Sequence, residues 1–311
     1  MQRRPAAPAS RPWASDRHPK DSGRWRARVG QVSLVIGILA GLAVIIVGGL
    51  RMGWEDRFIY HPLPLDEAAD RAARQQLAVE DHTFGTSDGI RLHGWIVRAA
   101  PAAPDTPWLL WCHGNAGNIS HRAENLRLLV QQGLNVFIFD YRGYGRSEGH
   151  PSEAGLYDDA AAAYDYLRAR EAVTAGRVVL FGRSLGSAVA AEVALRRPAA
   201  GLILETPLAS VPAMARSVLP LLPAELLLRS RFDTVGRAAR LPLPVLVLIA
   251  ERDDVVPPSQ GHRVYDTLPG PKERWVVPGA RHNDTYIVGG SAYLERVTSF
   301  VQRATDLGAR V

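Results

Sequence analysis

An α/β fold, with a mostly parallel central sheet and helices on both faces, is predicted by three observations. Short, wholly apolar runs alternate with helix-compatible stretches from Trp108 onward, which is how strands buried on both faces read. A Gly-Arg-Ser-Leu-Gly pentapeptide, Gly182 to Gly186, stands between one such run and an Ala-rich stretch. The last two runs are each followed by polar segments, one rich in carboxylates and one holding a histidine, where an open α/β sheet places its ligands.

The 311 residues, 47% apolar and 22% charged, suit one folded core with an appendage. The formal charge of +6 invites a nucleic-acid reading, but residues 1–28 hold eight basic side chains against only Asp16 and Asp21. That tail accounts for the whole excess, so the remainder has no net field to attract polyanions, and nucleic acid is excluded as a partner. Cys112 is the only cysteine, which rules out an intramolecular disulfide. Set in an apolar run, it reads as a small core residue.

Taken in chain order, residues 1–28 are rich in Pro, Ala, Ser and Arg and read as a basic, disordered cytoplasmic tail. Residues 29–50, VGQVSLVIGILAGLAVIIVGGL, lack charge and proline and as a helix would reach about 33 Å, enough to cross a bilayer. Arginines precede the run, so the positive-inside rule puts the N-terminus in the cytoplasm and the rest of the chain on the extracytoplasmic side. The run is longer than a signal-peptide core and lacks a clean small-x-small site after it, so a retained signal anchor is expected over a cleaved signal. Residues 51–80 form a juxtamembrane linker containing a short charged helix over Asp66 to Leu77, and the folded domain occupies 81–311.

Within that domain His82 to Gly85 and Ile90 to Val97 read as antiparallel strands across a Ser87-Asp88-Gly89 turn, from their alternation. Six parallel strands are expected at Trp108 to Cys112, Val136 to Asp140, Val178 to Phe181, Leu202 to Leu204, Val245 to Ala250 and Arg274 to Val277. Helices are expected over about 120–132, 155–170, 185–197, 258–268 and 291–306. Residues 207–240 break the alternation with prolines, Leu-rich pieces and arginines. Because they follow a strand end, they read as a small cap over the site or as an excursion packed on the surface.

The pentapeptide demands a sharp strand-to-helix turn that exposes Ser184, with glycines two residues either side because side chains there would collide. A serine hydroxyl is nearly inert at neutral pH, so a base must take its proton, and a carboxylate must orient that base. In chain order the acid follows the serine and the histidine comes last. Glu251-Arg252-Asp253-Asp254 supplies carboxylates after the run 245–250, and Pro278-Gly279-Ala280-Arg281-His282 supplies the histidine. Ser184 is therefore the expected nucleophile and His282 the base and then acid. Order alone leaves Asp253 and Asp254 both open as the orienting group. The oxyanion needs two N–H donors, expected from the amides of Leu185 and Asn115, the latter in the loop His113 to Asn118. His113 is expected to shape that loop rather than to act as a base. The remaining histidines show no metal-ligand spacing, and the chemistry calls for no metal or cofactor.

The sequence resembles the α/β-hydrolase superfamily and, within it, the Bem46-like membrane-anchored serine hydrolases. The resemblance rests on Arg57-Phe58-Ile59-Tyr60-His61-Pro62, Leu92-His93-Gly94-Trp95, HGNAGNISHR at 113–122, FDYRGYGRSEGHPSE at 139–153, GRSLGSAVA from Gly182, Glu205-Thr206-Pro207, ERDDVVP at 251–257 and GARHND at 279–284. It implies an α/β-hydrolase fold and assigns the acid to Asp253, through a GxxDxxVP pattern in which Ala250 replaces glycine. Arg281 stands where the family has glycine. The loop Asp140 to Ser147 resembles the family's loop after its fourth strand, and its glycines, which satisfy backbone geometry, favour a structural turn with buried charge pairing over substrate contact.

The expected activity is hydrolysis of an ester, thioester or amide through an acyl-enzyme, as in an esterase or thioesterase. The substrate would be an acyl-bearing small molecule, a lipid or an acylated protein beside the bilayer. The alternatives are a serine peptidase of the same fold and a non-catalytic membrane-bound scaffold. Dehalogenases and epoxide hydrolases use an aspartate nucleophile, and serine at 184 speaks against them.

Overall fold

The computed structural model describes residues 55–101, 103–220 and 223–308, with scattered positions between 28 and 49. The basic tail apart from Arg28, and fourteen of the 22 residues of the apolar run expected to span a bilayer, fall outside the described residues. Among the described residues no helix is long and apolar enough to cross a membrane. The chain divides into two units, residues 1–48 and 49–311, and the second holds everything below.

Eight strands form one sheet: β1 (Val79–Gly85), β2 (Arg91–Val97), β3 (Trp108–Cys112), β4 (Asn135–Phe139), β5 (Val178–Arg183), β6 (Gly201–Glu205), β7 (Val245–Ala250) and β8 (Lys272–Val277). Their spatial order is β8-β7-β6-β5-β3-β4-β2-β1. The six strands from β3 to β8 run parallel, and β2 is antiparallel to both β1 and β4. The central strands are buried along their whole length, which is why each reads as an apolar run rather than an alternation, broken only at its ends by Asn135, Arg183 and Glu205.

Alternate residues serve opposite faces, as a period of two requires. Leu110, Cys112, Phe137, Phe139 and Leu180 lie in one core layer. It includes Leu156 and Tyr164 of helix α3 (Glu153–Glu171) and Ala188 and Ala191 of α4 (Leu185–Arg196). Leu109, Trp111, Val136, Ile138 and Phe181 lie in the other, with Leu126 and Leu129 of α2 (Ala123–Gln131) and Val297 and Val301 of α9 (Thr285–Gly308). Helix α1 (Glu67–Gln76) starts where the Asp66 carboxylate accepts the amides of Ala68 and Ala69 at 2.9 and 3.0 Å, an N-cap.

The observed elements depart from the expected ones at identifiable places. The edge strands β1 and β8 are longer than their apolar runs, because they extend through Val79 to Asp81 and through Lys272 and Glu273. Charged residues on an edge strand face solvent and leave no apolar signal. Helix α9 starts at Thr285 and is interrupted at Gly290, which has φ +51 and ψ −133. The glycine pair 289–290 that masks the start in the sequence is the break itself.

Residues 207–240 contain three short helices, α5 (Val211–Val218), α6 (Ala224–Leu227) and α7 (Thr234–Ala238). Two carboxylates hold the middle of this excursion. Glu55, which is buried, accepts the amides of Arg229 and Ser230 at 2.8 and 3.0 Å. Glu153, on α3, accepts the amide of Phe232 at 2.7 Å. Helix α8 (Pro258–Thr267) then follows β7, and its Gln260 accepts the amide of Ala209 at 2.9 Å.

Candidate active site

The site residues follow the carboxyl ends of β3, β5, β7 and β8. Parallel register brings these ends together: Cys112 pairs with Gly182, Arg183 with Glu205, and Ala250 with Val277. Each strand thus delivers its following loop to one edge of the sheet.

Ser184 sits between β5 and α4 with φ +52 and ψ −121, a conformation that costs an L-residue on the order of 1–3 kcal/mol and is held only by its surroundings. Its amide donates to the Glu205 carbonyl at 2.8 Å. Both glycines of the pentapeptide are sterically required. A Cβ on Gly182 would lie 2.7 Å from the Ala190 Cβ and overlap the Gly186 carbonyl, and one on Gly186 would lie 2.5 Å from the His113 carbonyl and overlap that of Cys112. Helix α4 can therefore press against β3 and β5 only with no side chain at these points.

Ser184 Oγ lies 3.0 Å from His282 Nε2. On the other side of the ring, Nδ1 lies 2.8 Å from Asp253 Oδ2 and 3.0 Å from Oδ1. Only 2% of the Asp253 side chain and 7% of the His282 side chain are exposed, so the contacts act in a largely dehydrated setting, where they are stronger than in water. Asp253 Oδ1 also accepts the amides of Val255 and Val256, at 2.9 and 2.7 Å, which fixes the carboxylate's rotation. Asp254 instead meets the backbone amide of His282 at 3.5 Å. Its side chain is 54% exposed and lies 3.7 Å from Arg281, itself 69% exposed. Arg281 thus faces solvent and Asp254.

Leu185 is the first residue of α4, so its N–H has no intrahelical acceptor. The loop after β3 lies alongside: a Cβ on Gly114 would stand 3.5 Å from the Ser184 Cβ. Asn115, next in that loop, accepts the Tyr144 hydroxyl on its Oδ1 at 3.3 Å. His113 is fully buried, with Nδ1 2.7 Å from the Gly114 carbonyl and its ring 4.5 Å from that of Tyr141. Burial lowers its pKa to about 4, so it is neutral at physiological pH, and it packs between the loop and the rings of Tyr141 and Tyr144, with Nε2 3.7 Å from Asp140 Oδ1. Burial also pushes the Cys112 thiol up to about 12, which leaves it protonated and inert.

Three residues near the site, Arg183, Glu205 and Thr285, receive no role from the sequence, although the first two lie in motifs that carry the family resemblance. Arg183 donates from Nη2 to the His282 carbonyl at 2.9 Å, and its Nε is 3.6 Å from Glu205 Oε2. Glu205 is fully buried, and its Oε1 accepts the Thr285 hydroxyl. The available signal was a charged residue closing an otherwise apolar strand, at Arg183 and again at Glu205, since a buried charge must be paired to persist.

A family model described as serine aminopeptidase, S33, matches residues 105–232. The uncharacterized protein Rv2307c of Mycobacterium tuberculosis is 37% identical over 87% of this chain and 96% of its own length. The α/β-hydrolase domain-containing protein WAV2 of Arabidopsis thaliana is 35% identical over 88% of this chain and 96% of its own. Among solved structures, the esterase Pf2001 of Pyrococcus furiosus superposes with a TM-score of 0.64 at 20% identity, covering 79% of this chain and 98% of that one. The acetyl xylan esterase of Paenibacillus sp. R4 gives a TM-score of 0.58 at 21% identity, over 78% and 97%. The chain belongs to the α/β-hydrolase superfamily. It is an α/β-hydrolase-fold enzyme.

Proposed function

We propose that this protein is a membrane-tethered serine hydrolase that cleaves an ester, thioester or amide of an acyl substrate through an acyl-enzyme. The observation that carries the reading is the continuous line of contacts from Ser184 Oγ through His282 to Asp253, at 3.0 and 2.8 Å. Ser184 Oγ attacks the substrate carbonyl carbon as His282 Nε2 takes its proton. The carbonyl electron pair moves to oxygen, which the amides of Leu185 and Asn115 stabilise. Collapse of the tetrahedral species breaks the bond to the leaving alcohol, thiol or amine, which takes the proton from His282. Water, deprotonated by the same nitrogen, then attacks the acyl-serine, and collapse returns the proton to Ser184 Oγ and releases the acid. Asp253 remains ionised throughout, holding the tautomer and stabilising the imidazolium.

Ester cleavage is favoured by the solved structures of similar fold whose names are esterases. Amide cleavage is the second reading, favoured by the serine aminopeptidase description of the matching family model. The test is labelling of the full-length protein with a fluorophosphonate, followed by a panel of acyl esters, acyl thioesters and aminoacyl amides. Wild type is expected to label and Ser184→Ala not to. Equal labelling of both removes Ser184 from its role, and absence of label and turnover in wild type leaves a non-catalytic scaffold.

The tether in this proposal is the run 29–50, with the basic tail in the cytoplasm and the hydrolase domain on the extracytoplasmic side, where acyl chains of the bilayer or of lipidated proteins are at hand. The excess of arginine ahead of the run supports that orientation. Protease added to cells whose outer barrier has been opened should digest the domain, and full protection of it would reverse the topology.

A further inference from the structure

Each end of the turn that carries His282 is fastened to the two strands that hold Ser184. Arg183, the residue immediately before the serine, donates to the His282 carbonyl at 2.9 Å. Glu205 faces Arg183 across the β5–β6 ladder and uses both of its ends. Its carbonyl accepts the Ser184 amide at 2.8 Å, while its carboxylate accepts the hydroxyl of Thr285, the first residue of α9 and the third after His282. The turn between is closed by the Arg281 amide on the Asp284 carboxylate at 2.6 Å.

We propose that Arg183, Glu205 and Thr285 form a buried positioning brace that sets the distance between the nucleophilic hydroxyl and the base. The inference rests on the serine-hydrolase reading above. All three side chains are buried, and an unpaired charge in that setting is expensive. The fold retains the charged pair where apolar residues would fill the same space, and what the pair touches is the backbone of His282 and the start of α9. The guanidinium suits the place because it is a rigid fork, with Nη2 on the His282 carbonyl while Nε faces Glu205 Oε2 at 3.6 Å. A lysine ammonium is a single point and cannot span both groups. All three lie buried behind the Ser184–His282 pair, which makes them positioning residues rather than catalytic ones. Their effect runs through the 3.0 Å contact between Ser184 Oγ and His282 Nε2, and displacement of a reacting group by a fraction of an ångström is enough to slow the chemical step.

The test uses the full-length protein, an activated acyl ester, and the downfield proton resonance of the imidazole N–H that faces Asp253. In Thr285→Val and Arg183→Lys the expected result is a fall in kcat of about tenfold with KM held within about twofold. The downfield resonance is expected to weaken or shift while the fold persists. Thr285→Ser should restore both. The control is Arg142→Lys, which loosens a different buried pair, Arg142 with Asp159. It should lose stability yet keep wild-type kcat and resonance. Should Arg183→Lys fail to fold, Thr285→Val and its serine rescue decide alone. A folded Thr285→Val with wild-type kcat and an unmoved resonance overturns the brace. Ester turnover persisting in Ser184→Ala would instead overturn the serine-hydrolase reading, so the two failures are separable.

Discussion

Asparagine at 253 keeps the shape of the carboxylate and reverses one of its polarities. In the native site Oδ1 accepts two amides, from Val255 and Val256, while Oδ2 is the atom nearest His282 Nδ1, at 2.8 Å. An asparagine must keep its oxygen toward those two N–H groups, because turning its NH2 to them would set donor against donor. The NH2 then takes the place of Oδ2 and points an N–H at Nδ1. The imidazole is driven to the tautomer with its proton on Nε2, where the proposed mechanism needs a free lone pair to accept the proton of Ser184. A wrong tautomer in an otherwise intact triad lowers kcat by about 10⁴, or roughly 5.4 kcal/mol of transition-state stabilisation. The same change at Asp254 removes only a surface charge beside Arg281 and a 3.5 Å approach to the His282 amide, and kcat should stay within about twofold. Initial rates on an activated acyl ester, with active sites titrated by fluorophosphonate, measure both variants. Greater damage in Asp254→Asn, or an Asp253→Asn enzyme that keeps a tenth or more of wild-type kcat, would take the orienting role away from Asp253.

Two further outcomes follow from the same geometry. Gly186→Ala forces a methyl onto the Cys112 and His113 carbonyls, and since backbone cannot rotate away, thermal or denaturant melting should show a loss of at least about 3 kcal/mol or no folded protein. A Gly186→Ala protein that melts like wild type would mean that α4 does not approach β3 this closely. His113 is held neutral in the fold, its pKa lowered by burial from the ordinary 6.5 to about 4. The unfolded chain therefore binds the extra proton first, and stability is lost as pH falls from about 6.5 toward 4. Denaturant midpoints across that window in wild type and His113→Gln check this: the variant should show the shallower slope, and equal slopes would remove His113 as the cause.

How much was legible in the chain differs from element to element. The central strands could be read because burial on both faces leaves runs of apolar residues, so β3, β7 and β5 up to Phe181 announce themselves. The edge strands were read short, because solvent on one side admits Glu80, Asp81, Lys272 and Glu273. The serine turn was readable because sterics impose its glycines at a fixed spacing, a wholly local requirement. The choice between Asp253 and Asp254 could not be made from order, because neighbouring carboxylates differ only in where the backbone turns them. One is nearly buried against the imidazole, and the other is half exposed.

Local grammar is written in the chain: the central strands and the main helices, the place where the backbone must turn sharply, and the order of serine, acid and histidine. Those are consequences of side-chain period and of steric exclusion within a few residues, and they need no partner segment to act. Folding in three dimensions is what brings residues 98 positions apart in the chain to within 3.0 Å, and what lets Arg183 and Glu205 tie the His282 turn to the strands beneath Ser184. Such distances are set by the register of parallel strands and the packing of whole helices. That is a sum of many contacts distributed over the domain, which no single segment encodes.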